Sequence, residues 1–390
     1  MAAPSEVDRE QRPSDVRLSD GVGFCVVVFV TLRLLVSLIS VVSVGTVEPP
    51  SSAKSGIEVP ATKGWHNLVD GTDRWDAGWF ELIARDGYAP DDASAAFFPG
   101  YPIAIRLSTA ISPLGELTSG LLVSNLAFLG GLIVVFALTS YEFDRGMARR
   151  TTLLLACFPA SFFFLTPYSE SLFLFTSALC FWWARQHAWP KAAIAGLLAA
   201  LTRSVGILLI PALLVEAWSE PSDKRMRATL SSLVPLLGPA AYSTYWLVRT
   251  GDPLQPFHAQ DSWYRTLAFP LVTLGHALWL GISGITDPRG IYWTADLLLT
   301  AVILIPLAVR WRLLPRPYLV YVVASLAVIL SYPLSERPLL SAPRFLIVLF
   351  PAFWPLGAIC TRERLIPVVA ISLVGFTTMA IAFMNWGFFF

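Results

Sequence analysis

The stretch from Thr72 to Tyr88 reads TDRWDAGWFELIARDGY. It brings Asp73, Asp76, Glu81 and Asp86 together with Arg74, Trp75 and Trp79 in a chain that is otherwise mostly apolar. A carboxylate within hydrogen-bond reach of a hydroxyl can take its proton as the oxygen attacks. Arginine forks match phosphate oxygens two at a time, and aromatic plates stack on sugar faces. The residue types therefore point to base-assisted chemistry on a polar head group. More residues of the same kind recur downstream. They are Tyr168, Ser169 and Glu170 in TPYSES, Arg203 in LTRSVG, and His258, Gln260, Trp263 and Arg265 in FHAQDSWYR. Glu336, Arg337, Ser341 and Arg344 follow in SERPLLSAPR.

Each has a structural reading beside the chemical one. Trp75, Trp79, Phe80 and Tyr88 fit an interfacial aromatic belt as well as a sugar site. Arg337 fits a side chain reaching to lipid head groups as well as a substrate ligand, and His258 alone is a weak signal. Within the first stretch, helical spacing from Asp76 puts Phe80 on the same face and turns Glu81 away from it. Asp73 competes with Asp76 as a base, and otherwise reads as the N-cap of a helix beginning near Trp75. Arg203 is different, because an ionisable residue inside a broken apolar segment is functional by default.

The elements that must position these groups are membrane helices. Of 390 residues, 55% are hydrophobic and only 14% charged, with mean hydropathy +0.62. Soluble domains carry about 25% charged residues, so a soluble domain is excluded. Gly21 to Val44 holds the single charge Arg33, and Leu117 to Ser140 holds none, each near the roughly 20 residues a bilayer requires. A net charge of +1, with no basic stretch interleaved with aromatics, gives no reason to expect nucleic acid as a partner. Cys25, Cys157, Cys180 and Cys360 all sit in or beside apolar segments, so disulfides and cysteine metal clusters are not expected.

Lysines and arginines in short loops set the expected orientation. Residues 1–20, with Arg9, Arg12 and Arg17, form a cytoplasmic tail, and 21–390 form one polytopic membrane domain. Its first extracytoplasmic loop, 45–116, carries the acidic motif. The trace gives about nine spans plus a broken pair. Thr151 to Leu165 and Phe345 to Ile359 are read as spans. The segment Ala192 to Glu216 is read as two half-helices that turn back near Arg203, which keeps Lys224, Arg225 and Arg227 on the cytoplasmic side. A broken helix is tolerated at membrane depth where it lines a cavity.

With these pieces in order, the chain resembles the PIG-V-like mannosyltransferases, a family of GT-C glycosyltransferases. The resemblance runs nearly end to end. It rests on RWDAGWFELIARDGY and AAFFPGYP (95–102), then FPASFFFLTPYSESLF (158–173) and ALTRSVGILL (200–209). FHAQDSWYR (257–265) and SAPRFLIVLFPAF (341–353) complete it. The chain departs from many eukaryotic members between Gly-Tyr and Phe-Phe-Pro, where it carries APDDASA, so acceptor specificity does not carry over.

The resemblance implies an all-α, multi-spanning GT-C fold in an integral membrane protein, in the plasma membrane of a bacterium or the ER membrane of a eukaryote. It implies a polyprenyl-phosphate-mannose donor and a glycan or glycolipid acceptor, with inverting transfer on the extracytoplasmic or lumenal face to give an α-mannoside. Asp76 takes the place of the family's motif acid. Arg344 and Arg203 are the candidates for the donor phosphate. Trp75, Tyr168, Glu170, Gln260, Trp263 and His258 are the candidates for sugar or acceptor contacts. No cofactor or metal is expected, because arginines can stabilise a phosphate leaving group on their own. The alternatives are another polyprenyl-phosphate sugar, a protein acceptor or, in a different class, a lipid or sugar transporter. A transporter would be expected to show inverted repeats and midplane charges in several helices.

Overall fold

The computed structural model describes residues 16–44, 67–90, 93–260, 265–284 and 290–387. Helix α1 covers Val22–Val44, and α2 (Asp76–Asp86) and α3 (Gly100–Ile111) follow in the connection to α4 (Glu116–Glu142). Then come α5 (Arg145–Ala156), α6 (Glu170–Arg185), α7 (Trp189–Thr202), α8 (Leu209–Trp218), α9 (Ser222–Leu233) and α10 (Leu237–Thr250). The remainder is α11 (Pro270–Ser283), α12 (Gly290–Arg310), α13 (Arg316–Ser331), the short α14 (Ala342–Leu346), α15 (Phe353–Ile359) and α16 (Arg362–Met384). Among the described residues the only β pairing is a pair of isolated bridges, Arg265 with Leu334 and Leu334 with Arg337.

Among the described residues, four segments, 22–43, 116–142, 290–313 and 362–384, are long and apolar enough to cross a bilayer. Their outward faces are apolar as lipid contact demands, with Leu34, Leu38, Leu126, Leu298 and Ile371 all exposed. The protein is an integral membrane protein.

Helix α6 fixes the axis of the bundle. At roughly 1.5 Å per residue its 16 residues separate Glu170 from Arg185 by most of a membrane thickness. Arg203, just past the end of α7, donates to Glu170 Oε1 at 2.5 Å. Glu216, near the end of α8, accepts from Arg185 at 2.8 and 3.0 Å. The chain therefore climbs along α6 in α7, reverses at the extended residue Arg203 (φ −150°, ψ 145°), and descends in α8. Gly206 makes the reversal possible, since a Cβ there would overlap the backbone of Ala199 and Ala200.

Two segments expected as single spans are broken instead. Helix α5 stops at Ala156 and Pro159–Leu165 is a 3₁₀ turn. The stretch after Arg344 divides into α14, a 3₁₀ turn at Phe350–Ala352, and α15. Pro159 and Pro351 cannot donate to a continuing ladder. Irregular backbone at this depth survives because protein, not lipid, surrounds it; Phe162, Phe164, Phe350 and Phe353 are all fully buried.

The two ends of the bundle carry different polar sets. At the Arg185 end, Arg145 meets Asp20 at 3.1 Å and Arg150 donates to Gly357 O at 3.0 Å. Glu142 accepts from Arg185 at 2.5 and 2.9 Å and from Tyr318 OH at 3.1 Å. At the Glu170 end lie α2, the Arg203 reversal and the connection into α14.

Candidate active site

Helix α2 begins at Asp76, and its apolar face packs inward through Phe80, Ile83 and Ala84, all buried. Phe80 meets the rings of Phe97, Tyr101 and Tyr168 edge-on at 5.0 to 6.2 Å. No side chain caps the helix, so the N-cap reading of Asp73 is not what the structure contains. The residue before the helix is Trp75, at φ 55° and ψ −115°, a conformation that costs an L residue of order 1–3 kcal/mol. Trp75 packs edge-on against Trp386 at 5.8 Å. Arg74 is committed to the backbone, donating to Met384 O, Asp70 O and Asp73 O at 2.9, 2.8 and 2.7 Å. That anchorage leaves the next turn little freedom.

Tyr168 ties this turn to α6. Its hydroxyl donates to Arg74 O at 2.8 Å and accepts from the Asp76 N–H at 3.2 Å. The ring is 1% exposed and lies under the Arg344 guanidinium, 4.5 Å from ring centre to Cζ. Tyr168, a candidate for sugar contact, is thus buried, with its hydroxyl on the backbone of the turn and its ring against Arg344.

The charged groups form one chain of contacts. Arg344 Nη1 donates to Asp76 Oδ2 at 2.6 Å, and its Nε donates to Glu170 Oε1 at 2.5 Å. Arg203 Nη1 donates to the same Glu170 oxygen at 2.5 Å and to Ser169 Oγ at 3.2 Å. Glu170 has no exposed surface, whereas the Asp76 side chain keeps 23% of its surface open and Arg344 keeps 10%. Asp76 is thus the member of the network that faces out. Arg203, Arg265 and Arg344 all approach the ring of Phe345, within 5.9 Å, so positive charge from three separate elements converges beside the two acids. Asp76, Tyr168, Glu170, Arg203 and Arg344 are brought together from 268 residues of sequence.

The remaining candidates lie apart. His258 pairs with Asp252 at 2.7 Å and is exposed. Gln260 is exposed and reaches Ala96 O at 3.4 Å. Trp263 lies outside the described residues. Glu81 and Asp73 form a second acidic group on the flank of α2. Burial pushes the Glu81 carboxyl up to about 9, with the charges of Asp73 and Glu116 adding to the effect. Burial likewise raises Asp73 to about 6, Arg74 opposing and Asp70 reinforcing the rise. Helical spacing turns Glu81 away from Asp76, and its carboxyl instead feels the charge of Asp73.

Residues 22–216 match the family described as Mannosyltransferase (PIG-V). The chain belongs to this family. The matched half holds Asp76, Tyr168, Glu170 and Arg203, while Arg344 joins the family's segment only through folding. Residue by residue, the chain is 36% identical over 138 residues to GPI alpha-1,6-mannosyltransferase 2 of Mus musculus, covering 33% of this chain and 27% of that protein. Against the Rattus norvegicus protein of the same name the figures are 32% over 200 residues, 48% of this chain and 38% of that one. The match thus spans well under half the length of these relatives.

The fold of this PIG-V family member is similar to that in the crystal structure of ArnT from Cupriavidus metallidurans bound to undecaprenyl phosphate. The TM-score is 0.56 at 16% identity, covering 93% of this chain and 77% of ArnT. At that identity the likeness is one of fold. That fold is the all-α, multi-spanning GT-C fold, as the sequence resemblance implied.

Proposed function

We propose that this protein transfers mannose from a polyprenyl-phosphate-mannose donor to a hydroxyl of a glycan or glycolipid acceptor. The reading rests on one observation: Asp76, the outward-facing acid, is held by an arginine that also belongs to a cationic cluster at one end of the bundle. Family membership supports mannose as the sugar. The contrast between the two ends of the bundle supports an extracytoplasmic or lumenal site, because the opposite end carries Arg145, Arg149, Arg150, Lys224 and Arg225 and basic residues stay on the cytoplasmic side.

In this reading the acceptor hydroxyl attacks the anomeric carbon of the donor. Its proton passes to Asp76, acting as general base. The bond from that carbon to the phosphate oxygen breaks, and its electron pair leaves with the polyprenyl phosphate. The leaving group gains a negative charge, and the Arg344 fork with Arg203 beside it stabilises that charge where it develops. One displacement inverts the anomeric centre, so a β-linked donor yields an α-mannoside. Glu170, buried beneath them, keeps both arginines at the site where the donor sugar is bound. Trp75 flanks the sugar, and the exposed His258 and Gln260 are assigned to the acceptor's approach.

The test is to incubate the purified full chain with polyprenyl-phosphate-mannose and candidate glycolipid acceptors and to identify the product. An α-mannosylated acceptor and free polyprenyl phosphate are expected. Transfer of a different sugar under the same conditions, with mannose refused, would overturn the donor assignment.

A further inference from the structure

Helix α12 contains an acid that the site described above does not use. Asp296 sits on the second turn of a helix apolar enough to span a membrane and is 2% exposed. Its carboxylate receives both arms of Arg337, Nε at 2.6 Å and Nη2 at 2.9 Å. An acid within an apolar span is costly and is a functional candidate by default. A buried ion pair is weak support for stability, since well-packed apolar residues of similar volume often do as well or better. What a two-armed pair does supply is one fixed geometry.

Arg337 lies in the connection that delivers Arg344. Its own N–H donates to Leu334 O at 3.1 Å, and its carbonyl accepts from Leu340 N at 2.9 Å. The connection is therefore wound around the residue that Asp296 holds. Its other flank is braced by Arg265, which donates to Tyr332 O at 3.0 Å and Leu340 O at 3.4 Å. Just beyond, Ser341 takes φ 65°, and α14 starts with Arg344 in its first turn. The position of the Arg344 fork is thus set from two sides, by Asp296 through Arg337 and by Arg265.

We propose that Asp296 is a positioning residue that, through Arg337, fixes the approach of Arg344 to the donor phosphate. The inference rests on the reading of Arg344 as a phosphate ligand. Misplacement of such a group by about 1 Å can cost on the order of a hundredfold in rate, although Asp296 touches no reacting atom.

The test uses the full chain in lipid nanodiscs, with thermal stability and affinity for a polyprenyl phosphate as paired readouts. In the double variant Asp296→Leu/Arg337→Met, the expected result is a melting temperature at or above the parent's with affinity weakened on the order of tenfold. Parental affinity in that folded variant overturns the proposal. Should the double variant fail to fold, Arg337→Lys decides, because it keeps the charge and loses the fork. Weakened affinity at parental melting temperature supports positioning, and unchanged affinity refutes it. Arg344→Ala separates the two claims. If it binds polyprenyl phosphate like the parent, the phosphate reading itself fails; if it loses binding while Arg337→Lys does not, only the role of Asp296 falls.

Discussion

Arg344 donates to Asp76 across 268 positions of sequence, with 2.6 Å between Nη1 and Oδ2. The same guanidinium reaches the fully buried Glu170 at 2.5 Å. One arginine therefore joins the outward-facing acid to the acid at the core of the bundle. If Arg344 holds the donor phosphate as proposed, the phosphate and Asp76 share the donors of one guanidinium.

The geometry of that arginine makes Lys a poor substitute. Arg344→Lys keeps the charge but cannot hold Asp76 and Glu170 at once, because an ammonium lacks the planar fork. Affinity for polyprenyl phosphate, measured by titration, is expected to fall on the order of tenfold, with mannosyl transfer falling at least as far. Parental affinity and rate in Arg344→Ala would remove the residue from the site.

Tyr168→Phe leaves a ring beneath Arg344 and deletes the hydroxyl that clamps Arg74 O and Asp76 N. Two buried hydrogen bonds of this kind are lost, at about 1 kcal/mol each, so the variant folds. The turnover rate is expected to drop while the donor KM stays close to the parent's, because Asp76 loses its support and Arg344 keeps its own. A raised KM with an unchanged rate would instead make Tyr168 a substrate contact.

These two residues mark what a reader of the sequence could and could not find. Asp76, Glu170, Arg203 and Arg344, which hydrogen bonds join in the fold, stand out in the sequence as ionisable groups, Arg203 in a broken apolar segment and Asp76 through the family resemblance. Tyr168 stands out in TPYSES, but the bond of its hydroxyl to the Arg74 backbone is not legible there, since stacking and backbone support look the same until burial is known. The reversal at Arg203 could be read from the clash between one long span and a basic loop. The N-cap reading of Asp73 fails because Trp75, not Asp73, precedes the first helical residue. The signal for Asp296 was present and missed: it is a lone acid in the run TADLLLT, the same pattern that singled out Arg203. The breaks after Ala156 and Arg344 hide in apolar sequence, where only Pro159 and Pro351 hint at them.

The acidic flank makes a prediction about pH. Glu81 is held near 9 in the folded protein against an ordinary value of 4.5. Between those values the unfolded chain releases the proton and the folded one keeps it, so Glu81 lowers stability progressively as pH rises through that window. Glu81→Gln removes this dependence. Its melting temperature relative to the parent is expected to rise from pH 5 to about pH 9. A difference that stays flat across the range would show that Glu81 titrates normally.

The orientation can be read directly, because the four native cysteines are buried. Cysteines introduced at the exposed positions Ala89 and Ser335 are expected to react with an impermeant thiol reagent added outside intact cells. One at the exposed Ser222 is expected to react only after permeabilisation. Labelling of Ser222→Cys from outside would invert the assigned topology.

The central claim is that Asp76 takes the acceptor's proton, and Asp76→Asn tests it most directly. The change keeps the size of the side chain and its hydrogen bond from Arg344 but removes the proton acceptor. Mannosyl transfer from polyprenyl-phosphate-mannose should fall on the order of a hundredfold or more, with polyprenyl phosphate affinity near the parent's. Asp73→Asn, assayed alongside, should retain most of the activity. Transfer at the parental rate by Asp76→Asn, with Asp73→Asn inactive, would contradict the account and move the base to Asp73.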